Sequence, residues 1–278
     1  MRALALMIFG LFLYCLTALP AGAQQSTADD GEQVDVELVL AVDVSLSMDN
    51  EERRFQREGY IQALNSPEVL AAILEGGWGR IALTYVEWAG EDSQNIVVPW
   101  TLIDSAGTMM GFTDRISETP SRAFHRTSIS AAIDFSAALF EGNGFRGLRR
   151  VIDVSGDGPN NQGAPVAETR DRIVRQGITI NGLPVMIRAP GSGFFDIADL
   201  DRYYEQCVIG GPQSFIMPAV GWDGFALAVR RKLLLEIALR PDRPEILLAQ
   251  VKTESRPPPD CLVGERMWRE RGWRFDMP

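Results

Sequence analysis

The sequence predicts an α/β domain: a doubly wound, mostly parallel six-stranded sheet with helices on both faces. Three observations carry this. Short apolar segments rich in Val, Ile and Leu recur along the chain. They alternate with segments of helical periodicity, the pattern of βαβ units whose sheet is covered on both sides. Hydrophobic residues are 46% of the 278 and charged residues 23%, close to the average for globular proteins. That balance excludes a disordered, collagen-like or multi-pass membrane chain.

The elements follow in order. Val36–Val42 reads as a buried strand. Glu51–Leu64 reads as an amphipathic helix with Phe55, Tyr60, Ile61 and Leu64 available to one face. Ser66-Pro67 opens a shorter helix through Leu74, because proline suits the first helical turn. Arg80–Glu87 and Asn95–Leu102 read as strands. Asp104-Ser105 starts a helix that runs to about Ser117. Ser128–Phe140 is a helix and Arg150–Val154 a strand. Pro165–Gln176 is a helix ended by Gly177, and Ile178–Val185 is a strand. Leu200–Cys207 is a short helix, Ser214–Met217 a last strand, and Trp222–Leu239 a long helix stopped by Pro241. Right-handed crossovers make the whole an open, Rossmann-like sheet. The domain is expected over 35–240, after a flexible lead at 24–34. The segment 241–278 is a tail too short to bury a core of its own.

The N-terminus reads as a signal peptide over 1–23. Arg2 precedes an uncharged, apolar run, Ala3–Leu19; Pro20 ends it, and Ala21-Gly22-Ala23 supplies the small residues of a cleavage site. The competing reading, an uncleaved anchor, needs a run that is at the lower limit of spanning length. A periplasmic or secreted chain starting at Gln24 is expected, with no stable membrane span after cleavage. Net charge is −10, which argues against nucleic acid or anionic lipid as main partner. Cys15 leaves with the signal. Cys207 and Cys261 remain, and in an oxidising compartment such a pair is expected to bond, the alternative being two buried thiols. The bond would pin the Pro-rich tail (Arg256–Pro259) to the body and contribute about 4 kcal/mol in the chain-entropy model.

The strongest chemical signal is Asp43-Val44-Ser45-Leu46-Ser47, at the C-terminal end of the first strand. In open α/β sheets ligands bind at that end of the strands. One carboxylate and two hydroxyls at i, i+2 and i+4 form a hard, oxygen-only set suited to Mg²⁺, Mn²⁺ or Ca²⁺. The competing reading is structural: Ser47 or Asp49 caps the next helix and Asp43 is a loop acid.

With these residues in view, the chain resembles a von Willebrand factor type A (vWA) domain over roughly residues 35–240. In that family D-x-S-x-S is the core of the metal-ion-dependent adhesion site, completed by a Thr from a later loop and an Asp past the fourth strand. Thr127, in Arg126-Thr127-Ser128-Ile129-Ser130, and Asp157, in Val154-Ser155-Gly156-Asp157-Gly158, stand in the matching order. The resemblance implies a divalent ion, Mg²⁺ first, bound by Ser45, Ser47 and Thr127, with Asp43 and Asp157 often acting through water. It also implies an open position that accepts a carboxylate from a partner protein. Ser155-Gly156-Asp157 departs from the usual Thr-Asp-Gly, which leaves Asp153 as a rival carboxylate; Gly158 favours Asp157. Gly156–Gln162 and the stretch Tyr203–Pro212 look like an exported bacterial subgroup of uncharacterised function. His125, near Thr127, is a hydrogen-bonded loop residue or a ligand. Asn160 and Asn161 shape the metal loop, touch the partner or are plain turn residues.

The expected function is a non-enzymatic, exported binding module that engages a protein ligand through a divalent ion. The alternatives are a metal-dependent hydrolase or phosphatase on Asp43 and Asp157, and a scaffold with an idle site. No Asp stands two residues after Asp43, as an aspartate-nucleophile phosphatase requires, and no G-x-S-x-G surrounds a nucleophile.

Overall fold

The computed structural model describes residues 31–187, 196–238 and 257–271. The signal segment 1–23, lead residues 24–30 and the helix end expected at Leu239 and Pro241 lie outside them. The central sheet has six strands: β2 (Glu37–Asp43), β3 (Ile81–Trp88), β4 (Gln94–Ile103), β6 (Arg150–Gly156), β7 (Ile178–Met186) and β8 (Ala219–Val220), in spatial order β4-β3-β2-β6-β7-β8. A separate two-stranded sheet pairs β1 (Glu32–Val34) with β5 (Phe145–Gly147) in parallel. Residues 32–34, expected in the flexible lead, are therefore a strand, and the reason is the partner: Phe145–Gly147 receives their backbone bonds and Val34 is fully buried.

Strand β2 shows how one apolar run builds both halves of the core. Side chains alternate across a strand. Leu38, Leu40 and Val42 pack on one face with Tyr60, Phe112, Phe225 and Leu233. Val39 and Ala41 pack on the other with Ile129, Ile133, Val166 and Leu200. The first set draws in helices α1 (Asn50–Leu64), α2 (Pro67–Leu74), α3 (Ala106–Glu118) and α7 (Trp222–Ala238). The second draws in α4 (Ile129–Ala138), α5 (Val166–Val174) and α6 (Leu200–Tyr203). Both faces are covered, as a parallel sheet requires.

The sheet is mostly parallel, with one antiparallel edge, and one strand expectation is corrected. β4 runs antiparallel to β3, because the short Ala89–Ser93 connection cannot hold a parallel crossover. As the edge strand it carries Pro99 and a bulge near Tyr85, both features that edges tolerate. Ser214–Met217 is not a strand: Ile216 forms an isolated bridge to Gly182, and the ladder resumes at β8 beside Val185 and Met186. Pro218, with no N–H to donate, separates the two.

The tail contributes an element of its own, α8 (Val263–Arg271). The segment between α6 and β8 contains a five-residue π-helical turn, Tyr204–Val208, that buries Tyr204 and Cys207. Cys207 is disulfide-bonded to Cys261, which anchors the start of α8 to the body. Among the described residues no helix is long and apolar enough to cross a membrane.

Candidate metal centre

The β2 and β6 strands are parallel neighbours, with Val42 opposite Ser155. Strand order reverses between them, so the residues just beyond their C-terminal ends face one crevice. Asp43 is the last residue of β2 and fully buried. Its Oδ1 accepts from the Ser45 backbone N–H at 2.7 Å. Ser45 Oγ and Ser47 Oγ are 2.8 Å apart, and Ser47 Oγ donates to Asp157 Oδ1 at 2.7 Å. Four of the five expected donors thus form one connected set. It runs from a buried floor at Asp43 and Ser45 to an open end at exposed Ser47 and half-buried Asp157.

The competing structural reading of Ser47 fails on the helix cap. Asp49 is the N-cap of α1: its Oδ1 accepts from Glu51 N and Glu52 N at 2.8 Å each, while its own N–H donates to Glu52 Oε2 at 2.8 Å. This capping box satisfies the first turn and leaves the Ser47 hydroxyl to the acid cluster.

The loop that carries Thr127 runs beside the serine segment. Phe124 lies alongside the serine segment, accepting from Leu46 N at 2.9 Å and donating to Val44 O at 3.4 Å. Thr127 N donates to Asn161 Oδ1 at 2.9 Å, and Asn161 N returns a bond to Thr127 O at 2.8 Å. Asn160 Oδ1 accepts from Ser130 N at 3.0 Å. Asn160 and Asn161 therefore staple the Asp157 loop to the Thr127 loop and the start of α4. His125 is exposed. Asp153 is removed from the site altogether: it is buried against Lys232, 2.7 Å away.

The electrostatics suit a cation. Burial first, and the Asp157 charge second, push the Asp43 carboxyl well above the usual carboxylate range; bonds from Ser45 and the Asp157 backbone oppose the shift. Asp43 Oδ2 is buried with no hydrogen-bond partner, as is the nearby Tyr204 hydroxyl. A buried acid with a free oxygen, facing a second acid, is the arrangement a divalent ion would relieve. Among the described residues no three His, Cys, Asp or Glu side chains converge on one point; the expected donor set, two acids and three hydroxyls, is of the kind that fits a hard ion.

Comparison with solved structures places the fold. Proximal thread matrix protein 1 from the mussel byssus aligns with a TM-score of 0.55 at 14% identity, over 75% of this chain and 49% of that one. The same mussel protein with a zinc-occupied MIDAS motif aligns at 0.51 and 12%, over 73% and 46%. The pilus adhesin SpaC from Lactobacillus rhamnosus GG aligns at 0.51 and 14%, over 75% and 31%. The chain spans about half the length of the mussel protein and less of the adhesin. No curated protein matches the chain. The fold is vWA-like, as the resemblance implied. A family described as protein of unknown function (DUF1194) matches residues 33–241, most of the chain, and the chain belongs to that family.

Proposed function

We propose that this chain is an exported, non-enzymatic binding module that engages a protein ligand through one divalent cation, Mg²⁺ or Mn²⁺, held by Asp43, Ser45, Ser47, Thr127 and Asp157. The observation that carries the reading is the connected set Ser45–Ser47–Asp157 standing over a buried Asp43 with an unpaired oxygen. The likeness in fold to an adhesin and to a protein with a metal-occupied MIDAS motif supports it.

A bound cation there would supply an electrophilic point for a carboxylate presented by the partner. Asp43 and Asp157 would balance its charge, and the hydroxyls of Ser45, Ser47 and Thr127 would offer neutral oxygens that do not quench it. The Asn160 and Asn161 staples would hold the loops in place. Exposed Leu46 and Phe124, adjoining the site, offer apolar contact to a protein surface.

Calorimetric titration of the oxidised protein with Mn²⁺ tests the site. One binding event is expected, lost in Ser45→Ala/Ser47→Ala; unchanged affinity in that variant would place the ion elsewhere. Pull-down from envelope extract with Mg²⁺ or chelator then tests the partner, with chelator-sensitive capture expected. Turnover of phosphoesters with Mg²⁺ or Mn²⁺ that is lost in the same variant would replace this reading with the hydrolase.

A further inference from the structure

Helix α8 grips two of the loops that carry the metal donors. Its Gly264 lies so close to the Asp157 loop that a Cβ there would sit 2.0 Å from Asn160 O. The next residue, Glu265, accepts from Asn160 Nδ2 at 2.7 Å through Oε1. One turn on, the Trp268 ring receives the Arg126 guanidinium 3.5 Å from its centroid, a cation–π contact on the residue preceding Thr127. Arg126 has φ 74°, a left-handed conformation that a non-glycine residue keeps only where its surroundings enforce it. The Asn160 backbone N–H donates to the Tyr203 hydroxyl at 3.1 Å, which ties the same loop to the segment bearing Cys207.

We infer that α8 is a positioning clamp for the metal centre. Trp268 fixes Arg126 and so Thr127; Gly264 and Glu265 fix Asn160 and so the Asp157 loop; the Cys207–Cys261 bond keeps the clamp seated. This rests on the metal-binding reading of the site. The helix cannot hold itself there. It has nine residues, only Gly264 among them buried, and isolated helices of that length do not persist in water. The disulfide, two residues before the helix starts, holds it at its seat. Metal affinity therefore depends on the state of two cysteines, neither of which is a donor. Partners that orient metal donors without touching the ion commonly account for 10–100-fold in affinity.

The test is Mn²⁺ calorimetry on the full chain, paired with thermal melts, for wild type, Gly264→Ala, Trp268→Ala, Trp268→Phe and Cys207→Ala/Cys261→Ala. Alanine is a better helix former than glycine, so a loss in Gly264→Ala reports the lost approach to Asn160 and not a weaker helix. Affinity about tenfold weaker is expected in Gly264→Ala, Trp268→Ala and the double cysteine variant, with Trp268→Phe restored to within about threefold of wild type. Lower melting temperatures with unchanged Mn²⁺ affinity would overturn the clamp and leave a purely structural tail. If the double cysteine variant does not fold, Gly264→Ala and Trp268→Ala decide alone, since both keep the disulfide. Wild type without Mn²⁺ binding overturns the metal reading itself; binding lost in Ser45→Ala/Ser47→Ala but untouched by the α8 variants overturns only the clamp.

Discussion

Ser47 Oγ donates to Asp157 Oδ1 across 2.7 Å, joining residues 110 apart in the chain. The bond exists because β2 and β6 are adjacent and parallel, so the chain leaves both strands at the same edge of the sheet. Ser47 can reach Asp157 only because Asp49 has taken over the capping of α1. A helix cap two residues away thus frees a hydroxyl for the site.

Asp43→Asn separates the cost of the acid from its use. The wild-type carboxyl is raised by burial and by Asp157, so its ionised form opposes folding, and stability without metal falls as pH rises above the ordinary carboxylate value. The amide removes that charge. At pH 7.5 without metal the variant is expected to melt higher by roughly 2–4 °C, the effect of about 1 kcal/mol in a domain of this size. The rise that Mn²⁺ produces in wild type by mass action is expected to vanish. A variant that still gains stability from Mn²⁺ would remove Asp43 from the site.

Arg57 and Glu87 form a buried pair between α1 and β3, with Arg57 Nε 2.7 Å from Glu87 Oε1. Arg57 also donates to the Ile116 and Thr119 carbonyls at the end of α3. Burial raises the Glu87 carboxyl and Arg57 counteracts it. Arg57→Met strands the acid and is expected to cost about 3–5 kcal/mol. Arg57→Met/Glu87→Leu is expected to recover at least about 2 kcal/mol of that, since both charges are then gone. Urea melts of the cycle measure it; strict additivity would show that the pair does not interact.

Lys232 lies between two buried acids, 2.7 Å from Asp153 and bonded to Glu236, which also accepts from Asn181 Nδ2 at 2.9 Å. One ammonium serves two carboxylates. Burial, then the Glu236 charge, raises Asp153 to about 7 against the pull of Lys232. The folded protein therefore holds a proton that the unfolded chain releases near pH 4. Its contribution to stability is present below about pH 4 and is lost as pH rises towards 7. The melting temperature is expected to lose this contribution between about pH 4 and pH 7, and Asp153→Asn, which keeps an acceptor for Lys232, is expected to flatten that loss. An equal slope in the variant would assign the titration to another group.

The extent to which the fold is legible in the sequence depends on whether a signal is local. Val36–Val42 reads as a strand because both its faces are apolar, and β2 occupies Glu37–Asp43. The Ser105 cap and the Pro67 start are equally local, and both helices begin beside them. The antiparallel direction of β4 was carried by the shortness of Ala89–Ser93, a signal that an alternation of strands and helices conceals. β5 has three residues and no periodicity to read. In the site, D-x-S-x-S and Asp157 were visible because each stands at the end of a strand. The contacts of Trp268, Glu265 and Tyr204 were not visible. Trp268 meets Arg126, and Glu265 meets Asn160, across more than 100 residues, and nothing near any of them in the chain marks the contact.

Gly156 offers a test of how tightly the floor of the site is built. It lies at the end of β6, outside the left-handed region, so its backbone admits alanine. The space does not. A Cβ would sit 2.7 Å from Tyr204 Oη and 3.0 Å from Asp43 Oδ2. Both oxygens are buried without hydrogen-bond partners, but the Asp43 carboxyl is held through Oδ1 by the Ser45 N–H, so the tyrosine hydroxyl is the freer of the two to be displaced. Gly156→Ala is expected to push the tyrosine or the acid aside and to weaken Mn²⁺ binding about tenfold. Tyr204→Phe alone removes a hydroxyl that makes no bond, and a change of that kind is close to neutral or stabilising by up to about 1 kcal/mol. Combined with Gly156→Ala it deletes the nearer of the two obstructing atoms. The double variant is therefore expected to bind Mn²⁺ more tightly than Gly156→Ala, recovering part of the wild-type affinity. Calorimetry of the three variants checks this. A double variant as weak as the single one would mean that the methyl displaces Asp43 itself, and that Tyr204 yields without consequence for the metal.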